Sequence, residues 1–302
     1  MKKLNRAIII CTLVCAILAG CVGTAFAEKA SPIVVGSKEF TEQLIIGYIL
    51  KDIIEGNTDY EVDLKDGLGG TAVIFAALSS DQIDVYVEYS GTTYGVILEM
   101  PIEESVDATF KAACQKLHDD YNIECLERVG FNDTYCLAMK RSKAEEYGIT
   151  RISDLIGMDK KFIFAPSFEF NERADGLKKL VADYPGLEFA DVVPLEGMLK
   201  YVSADSDEVD IICAFSTEGM LKKFDMLVLE DDRHSISPYE GFPIVRGAAL
   251  ESHPGLKEAL NKLAGAISDD DMAQMNYLVD CEQRMPGDVA HEFLVERGLI
   301  PE

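Results

Sequence analysis

Four aromatic residues stand where short apolar runs give way to polar ones: Tyr89, Tyr135, Phe215 and Tyr239. Rings so placed can turn their faces into a cleft. Several faces around a quaternary ammonium hold it through the ring quadrupole, each contributing about 0.5 to 2 kcal/mol once water is excluded. With 12 Tyr, 14 Phe and no Trp, tyrosine is the natural wall for a site that needs ring faces and a polar rim. A lone tyrosine is as ordinary in a core as against a ligand, so the rings gain meaning only from the elements that place them. Covalent chemistry has thin support. His118, His234, His253 and His291 are far apart, and none falls in the H-E-x-x-H spacing of a zinc site. No G-x-S-x-G elbow, Walker A loop or G-x-G-x-x-G turn occurs. Asp231-Asp232 and Asp269-Asp270-Asp271 fall in polar turns, whereas general acid and base work needs carboxyls positioned in a cleft. No catalytic residue, metal or cofactor is expected.

The elements that would carry the rings alternate. Ile33 to Val35 reads as a strand, Gly36-Ser37-Lys38 as a small-residue loop, and Thr41 to Ile54 as an amphipathic helix. Tyr60 to Leu64 and Ile83 to Val87 are further strands, separated by the Gly67-Leu68-Gly69-Gly70 turn and a helix from Thr71 to Leu78 that Thr71 would cap. A helix near Ser105 to Asp119 precedes strands near Glu124 to Arg128 and Thr134 to Met139. A helix-rich middle segment runs to about Asp232, and helices at Leu256 to Ile267, Asp269 to Val279 and Gly287 to Gly298 close the chain. This alternation signals α/β units on mostly parallel sheets. Residues 82–90 and 208–216 share an Asp inside a strand, an aromatic five residues later and Ser next. Ligands in open α/β sheets sit beyond the carboxyl ends of strands, so this repeat would set Tyr89 and Phe215 on facing walls of one crevice. Two unrelated strands with buried aromatics would give the same spacing.

At 302 residues, 48% hydrophobic and 27% charged, the chain is sized for about two domains of ordinary globular composition. Its 28 Lys plus Arg face 53 Asp plus Glu, a net charge of -25 that argues against nucleic acid as a partner. The first residues differ: Lys2, Lys3 and Arg6 precede an apolar run from Ala7 to Leu18, too short for a permanent bilayer span, as in an export signal. It ends Leu18-Ala19-Gly20-Cys21, similar to the bacterial lipobox, with Cys21 as the lipid-bearing first residue; cleavage after Ala25-Phe26-Ala27 is the competing reading. Beyond Cys21 lie Cys114, Cys125, Cys136, Cys213 and Cys281, an odd number without a C-x-x-C pair. Small buried hydrophobes is the expected role for most, with room for one disulfide that the spacing does not choose.

Several ordered blocks carry a resemblance. Val35-Gly36-Ser37-Lys38-Glu39-Phe40-Thr41-Glu42-Gln43 is followed by Gly69-Gly70-Thr71, Val87-Glu88-Tyr89-Ser90-Gly91-Thr92 and Gly130-Phe131-Asn132-Asp133-Thr134-Tyr135. Leu221-Lys222-Lys223-Phe224-Asp225, Leu229-Glu230-Asp231-Asp232 and Pro243-Ile244-Val245-Arg246 complete the series. Over residues 33 to 300 the chain resembles the substrate-binding lipoproteins of osmoprotectant ABC importers for glycine betaine, carnitine and choline. The resemblance implies an α/β type II periplasmic-binding-protein fold, with lobe 1 at 33-131 plus 238-302, lobe 2 at 132-237, and a ligand cleft between them. A signal peptide at 1-20 and a tether at 21-32 would precede them.

The same resemblance makes Tyr89, Tyr135, Phe215 and Tyr239 the cage for the ammonium, with Thr92 behind Tyr89. Lys38 and Arg173 would anchor a ligand carboxylate through charge-assisted hydrogen bonds, and Thr71 and Gln43 are lesser candidates. The implied partners are a small quaternary ammonium ligand, the transmembrane subunit of an ABC permease with its ATPase, and the membrane through a lipid anchor on its outer face; the receptor is expected as a monomer. Two departures bear on the ligand. Phe215 stands where relatives commonly carry tyrosine, which keeps a ring face and removes a hydroxyl, and Cys213-Ala214 replaces a more polar pair. Glu169 and Glu172 lie close enough to Arg173 to pair with it. A receptor preferring choline or carnitine is the alternative within the class; a secreted hydrolase or an adhesion domain stands outside it.

Overall fold

The computed structural model describes residues 31–100, 106–159, 161–173 and 175–302. The signal sequence, Cys21 and most of the 21-32 tether lie outside them. In chain order the first elements are β1 (Ile33–Gly36), α1 (Thr41–Asn57), β2 (Val62–Lys65), α2 (Thr71–Ser79), β3 (Val85–Tyr89), α3 (Val106–Tyr121) and β4 (Ile123–Cys125). A middle series follows: β5 (Tyr135–Lys140), α4 (Arg141–Tyr147), β6 (Ile163–Ala165), α5 (Phe168–Glu172), α6 (Leu177–Asp183), β7 (Asp191–Val192), α7 (Met198–Asp205), β8 (Ile211–Phe215), α8 (Gly219–Lys223) and β9 (Met226–Val228). The chain closes with β10 (Gly241–Arg246), α9 (Gly247–Ser252), α10 (Leu256–Leu260), α11 (Asp269–Asp280) and α12 (Pro286–Glu296).

Helix α1 follows from its apolar spacing. Ile45, Ile46, Ile49, Leu50, Ile53 and Ile54 recur on one face and are all buried, each worth about 1.5 to 3 kcal/mol relative to exposure. The Lys51–Glu55 pair at 2.6 Å braces the opposite face. Three expectations change. Gly70, not Thr71, holds the N-cap position of α2, so Thr71 is already the first helical residue and makes no cap bond. The helix expected from Leu256 to Ile267 stops at Leu260 and passes through a 3-10 turn at Asn261–Leu263, before Gly265 with φ at +63°. The middle segment is as sheet-based as the first: its strands β6, β7 and β9 are two or three residues long, too short to leave a period-two pattern.

Two five-stranded sheets result, ordered β2-β1-β3-β10-β4 and β7-β6-β8-β5-β9. Each is parallel at one side, with an antiparallel partner against its central strand: β10 on β3, with Gly241 opposite Tyr89, and β5 on β8, with Tyr135 opposite Phe215. The repeat between residues 82–90 and 208–216 is physical. Asp84 Oδ2 accepts the Val34 N–H of β1 at 2.8 Å, and Asp210 Oδ2 accepts the Ile163 N–H of β6 at 2.8 Å. Arg246 and Lys143 neutralise the two carboxylates in turn. Both aspartates thus tie the start of a central strand to its parallel neighbour.

The chain crosses from one sheet to the other between β4 and β5 and returns between β9 and β10. The two crossings bond to each other: Asn132 bridges Glu240, Tyr239 N–H donates to Asn132 Oδ1 at 2.6 Å, and Asp133 N–H donates to the Tyr239 carbonyl at 3.1 Å. Cys114 on α3 is bonded to Cys125 on β4 with Cα atoms 5.6 Å apart, while Cys136, Cys213 and Cys281 are free thiols. Among the described residues no helix is long and apolar enough to cross a membrane. No group of three or more His, Cys, Asp or Glu among them is placed to hold a metal ion.

Helix α8 lies tightly on α11. A Cβ added at Gly219 would stand 2.5 Å from the Tyr277 backbone, which cannot give way as a side-chain tip could. Gly219→Ala should therefore cost about 1 to 3 kcal/mol, read as a lowered denaturation midpoint. Gly95→Ala, whose added Cβ meets nothing within 4 Å, is the control expected to leave the midpoint within error.

Candidate functional site

A cavity of about 610 Å³ opens where the central strands of the two sheets end. Tyr89 terminates β3, Phe215 terminates β8, Tyr135 begins β5 and Tyr239 lies on the returning crossover, and all four line it. Tyr135 and Phe215 stack at 4.6 Å between centroids, and Tyr239 stands at 88° to Tyr135 with 6.0 Å between centroids. A cation gains from a ring within about 6 Å of its centroid, so rings this close can share one. Gly91 brings Tyr239 in, because a Cβ there would lie 2.7 Å from that ring.

Behind the rings the two sheets repeat one construction. Glu88 Oε1 accepts Lys38 Nζ at 2.6 Å and the Tyr89 N–H at 2.8 Å, and its Oε2 accepts the Tyr86 hydroxyl at 3.0 Å. Glu218 Oε1 accepts Lys200 Nζ at 2.8 Å and the Phe215 N–H at 3.0 Å, and its Oε2 accepts the Tyr201 hydroxyl at 2.5 Å. Each carboxylate thereby neutralises a buried lysine and fixes the main chain of a cage aromatic. Burial, reinforced by the adjacent carboxylate, holds the Tyr86 and Tyr201 phenols protonated, well above the usual phenol range.

The floor ties α1 to the turn after β8 and to the first crossover through one hydroxyl. Thr217, just past β8, lies 2.6 Å from Glu42 Oε2 on α1 and 2.7 Å from Asp133 Oδ1 on the first crossover. A hydroxyl has one proton to donate, so two ionised carboxylates cannot both be served. One carboxyl of the pair keeps a proton and donates it to Thr217. Burial raises both carboxyls above the ordinary carboxylate range, with mutual repulsion adding to Asp133. Glu42 also accepts the Tyr89 hydroxyl at 2.6 Å and Asn276 Nδ2 at 3.3 Å.

Of the residues singled out in the sequence, Tyr89, Tyr135, Phe215, Tyr239, Lys38, Arg173, Thr92 and Thr71 all line the cavity. Gln43 does not. It stands behind the wall, donating to the Tyr89 hydroxyl at 3.0 Å and the Val87 carbonyl at 3.0 Å, and so positions a ring. Lys38, expected as a carboxylate anchor, lines the cavity while its ammonium pairs with Glu88, since a lysine 4% exposed must be paired. Arg173 grips Asp175 through two 2.8 Å bonds, Glu169 at 2.8 Å and the Tyr239 hydroxyl at 2.9 Å. Its expected neighbour Glu172 bonds Asn171 instead. The grip on Asp175 leads the causes that raise the guanidinium pKa, and burial above all pushes the Tyr239 phenol up to about 12.

Sequence reasoning passed over Phe40, Glu42, Asp133, Lys200, Thr217, Glu218 and Asn276, which also line the cavity. Phe40, Glu42 and Asp133 lie inside the quoted blocks and were within reach. Lys200, Thr217, Glu218 and Asn276 belong to no motif, and only the fold brings them here.

Residues 31–296 match the family described as the substrate binding domain of ABC-type glycine betaine transport system. The chain is 31% identical over 276 residues to a Helicobacter pylori protein named ergothioneine transport permease/ergothioneine binding protein, covering 90% of this chain and 49% of that one, so it spans about half that relative's length. It is 31% identical over 298 residues to a glycine-betaine-binding protein of Pseudomonas aeruginosa, covering 95% and 94% of the two chains. A solved structure described as a glycine betaine/carnitine/choline ABC transporter matches with a TM-score of 0.82 at 26% identity, over 88% of this chain and 99% of the other. Two sheets joined by paired crossovers, with aromatic strand ends meeting between them, are accordingly of the periplasmic-binding-protein type, and the chain belongs to the family of substrate-binding domains of ABC-type glycine betaine transporters.

Proposed function

We propose that the chain captures a small quaternary ammonium osmoprotectant of the betaine, carnitine or choline kind and hands it to the transmembrane subunit of an ABC permease powered by its ATPase. The observation that carries this reading is that ring faces from both sheets meet in a cavity lined by six carboxylate side chains against three cationic ones. Each of those cations, Lys38, Lys200 and Arg173, already has a carboxylate partner. A methylated ammonium offers no N–H to satisfy and gains from ring faces and a negative surround, which suits this lining. No covalent step is called for.

The walls come from different lobes, so a ligand touching both favours the closed arrangement and shifts the population toward it. The paired crossovers at Asn132–Glu240 are the natural hinge, dividing lobe 1 (33-131 plus 238-302) from lobe 2 (132-237). The receptor would act as a monomer, held at the outer face of the cytoplasmic membrane by lipid on Cys21.

Isothermal titration of the chain from Glu28 onward against glycine betaine, proline betaine, carnitine, choline and ergothioneine is the direct test. Saturable binding of at least one is expected, weakened about 2- to 30-fold by Tyr135→Ala and again by Tyr239→Ala. Silence across the panel from folded protein would sink the reading. A second expectation concerns pH. Glu42 and Asp133 have raised pKa values in the fold, so the stability that their shared proton gives is complete below the ordinary carboxylate pKa near about 4 and declines as pH rises through the raised values. Asp269 and Glu218 oppose ionisation of this pair, and Lys38 favours it. Glu42→Gln replaces the proton with an amide N–H. The difference in melting temperature between wild type and Glu42→Gln should therefore move in the variant's favour as pH climbs, and a difference that stays constant would count against the shared proton.

A further inference from the structure

We propose that the floor of the cleft reads a hydrogen-bond donor, so that the preferred quaternary ammonium carries an O–H or N–H at its far end rather than ending in a bare carboxylate. This inference rests on the quaternary ammonium reading above and names which members of that class the site takes.

Asn276, 4% exposed on α11, donates through Nδ2 to the Thr217 carbonyl at 2.9 Å and to Glu42 Oε2 at 3.3 Å. Both partners are acceptors, so the amide cannot be flipped, and Oδ1 must face away from them. That oxygen is buried and meets no donor among the described residues. Asp133 repeats the situation one residue across. Thr217 engages its Oδ1, and among the described residues no donor reaches Oδ2. The extra proton of the Glu42–Thr217–Asp133 chain lies beside the Thr217 oxygen whichever carboxyl carries it, so Asp133 Oδ2 remains an acceptor in both arrangements. Asp133 Oδ2 is thus the acceptor left open on a residue lining the cavity, beside a second unpaired oxygen, Asn276 Oδ1, that is sealed off behind it.

The cations give the complementary half of the argument. Lys38 is already neutralised by Glu88, Lys200 by Glu218, and Arg173 by Asp175 and Glu169. A carboxylate pushed to the floor would meet Asp133, with no cation there that lacks a carboxylate of its own. A hydroxyl or ring N–H there would fill an acceptor that otherwise loses its hydrogen bond on desolvation. Discrimination by a donor-reading site is sharp because the analogue lacking the donor leaves the site unpaired.

Choline and its methyl ether carry the same cation and differ in whether the oxygen can donate. In titrations of the full chain, choline is expected to bind about 3- to 100-fold more tightly than the ether, the range spanned by hydrogen bonds to a neutral and to an ionised carboxyl. Asp133→Asn keeps an oxygen for Thr217 and turns an N–H2 to the cleft; whatever it does to both ligands together, it should shrink the choline-to-ether ratio to about 3-fold or less. Equal affinity of the two ligands for the wild type, which needs no variant, overturns the proposal, as does Asp133→Asn weakening both alike. Glycine betaine binding more tightly than choline overturns the donor subsite and leaves the quaternary ammonium reading standing. Failure of every quaternary ammonium compound to bind overturns both.

Discussion

A charge removed from water has to collect partners, and this requirement, set by Glu88 at the end of one central strand and by Lys200 beside the end of the other, is what the cleft rests on. Glu88 is fully buried, and it gathers a lysine, a tyrosine hydroxyl and the N–H of Tyr89. Glu218 gathers the matching set around Phe215. Removing one member of a pair buried on both sides, as Lys38–Glu88 is, typically costs about 3 to 5 kcal/mol, because the other charge is stranded. The ring that walls the ligand site therefore shares its main chain with an ionic group that tolerates little movement. Preorganisation of the cage follows from electrostatics behind it rather than from packing in front.

That arrangement also sets what the cavity offers to solvent and ligand. Lys38, which a sequence reader would assign to a ligand carboxylate, is paired with Glu88, Lys200 is paired with Glu218, and Arg173 holds Asp175 while it orients Tyr239. What is left facing the cavity is ring surface and a surplus of carboxylate oxygen, an environment that favours a diffuse cation over an anion. The floor adds a further link, since Glu42 on α1 and Thr217 beyond β8 share a proton with Asp133 on the crossover.

The doubled construction explains how two unequal halves of the chain make one site. Asp84 and Asp210 tie corresponding strands together at their starts, and Glu88 and Glu218 secure the corresponding ends. The second glutamate comes from the turn after its strand rather than from the strand itself, so the match is one of geometry and not of sequence position. Likeness to the first repeat pointed to Phe215 while giving no hint of Glu218.

Local pattern alone carried the α/β class, the helix read from Thr41 to Ile54, the aromatic strand ends, and, through ordered motif blocks, the family and the main wall residues. These are properties of neighbours along the chain: hydrophobic period, turn residues, and the exit of a strand into a loop. The short strands of the second sheet escaped because two or three residues cannot display a period. The partners of the charged and polar groups were decided by tertiary structure only. Lys38 meets Glu88 across 50 positions, Glu42 meets Thr217 across 175, and Asn276 reaches Glu42 across 234. A buried charge takes whichever donor the fold brings within about 3 Å, and the chain's periodicity does not encode that distance. The sequence by itself determined which residues could face a ligand; the fold decided which of them were still free to bind one.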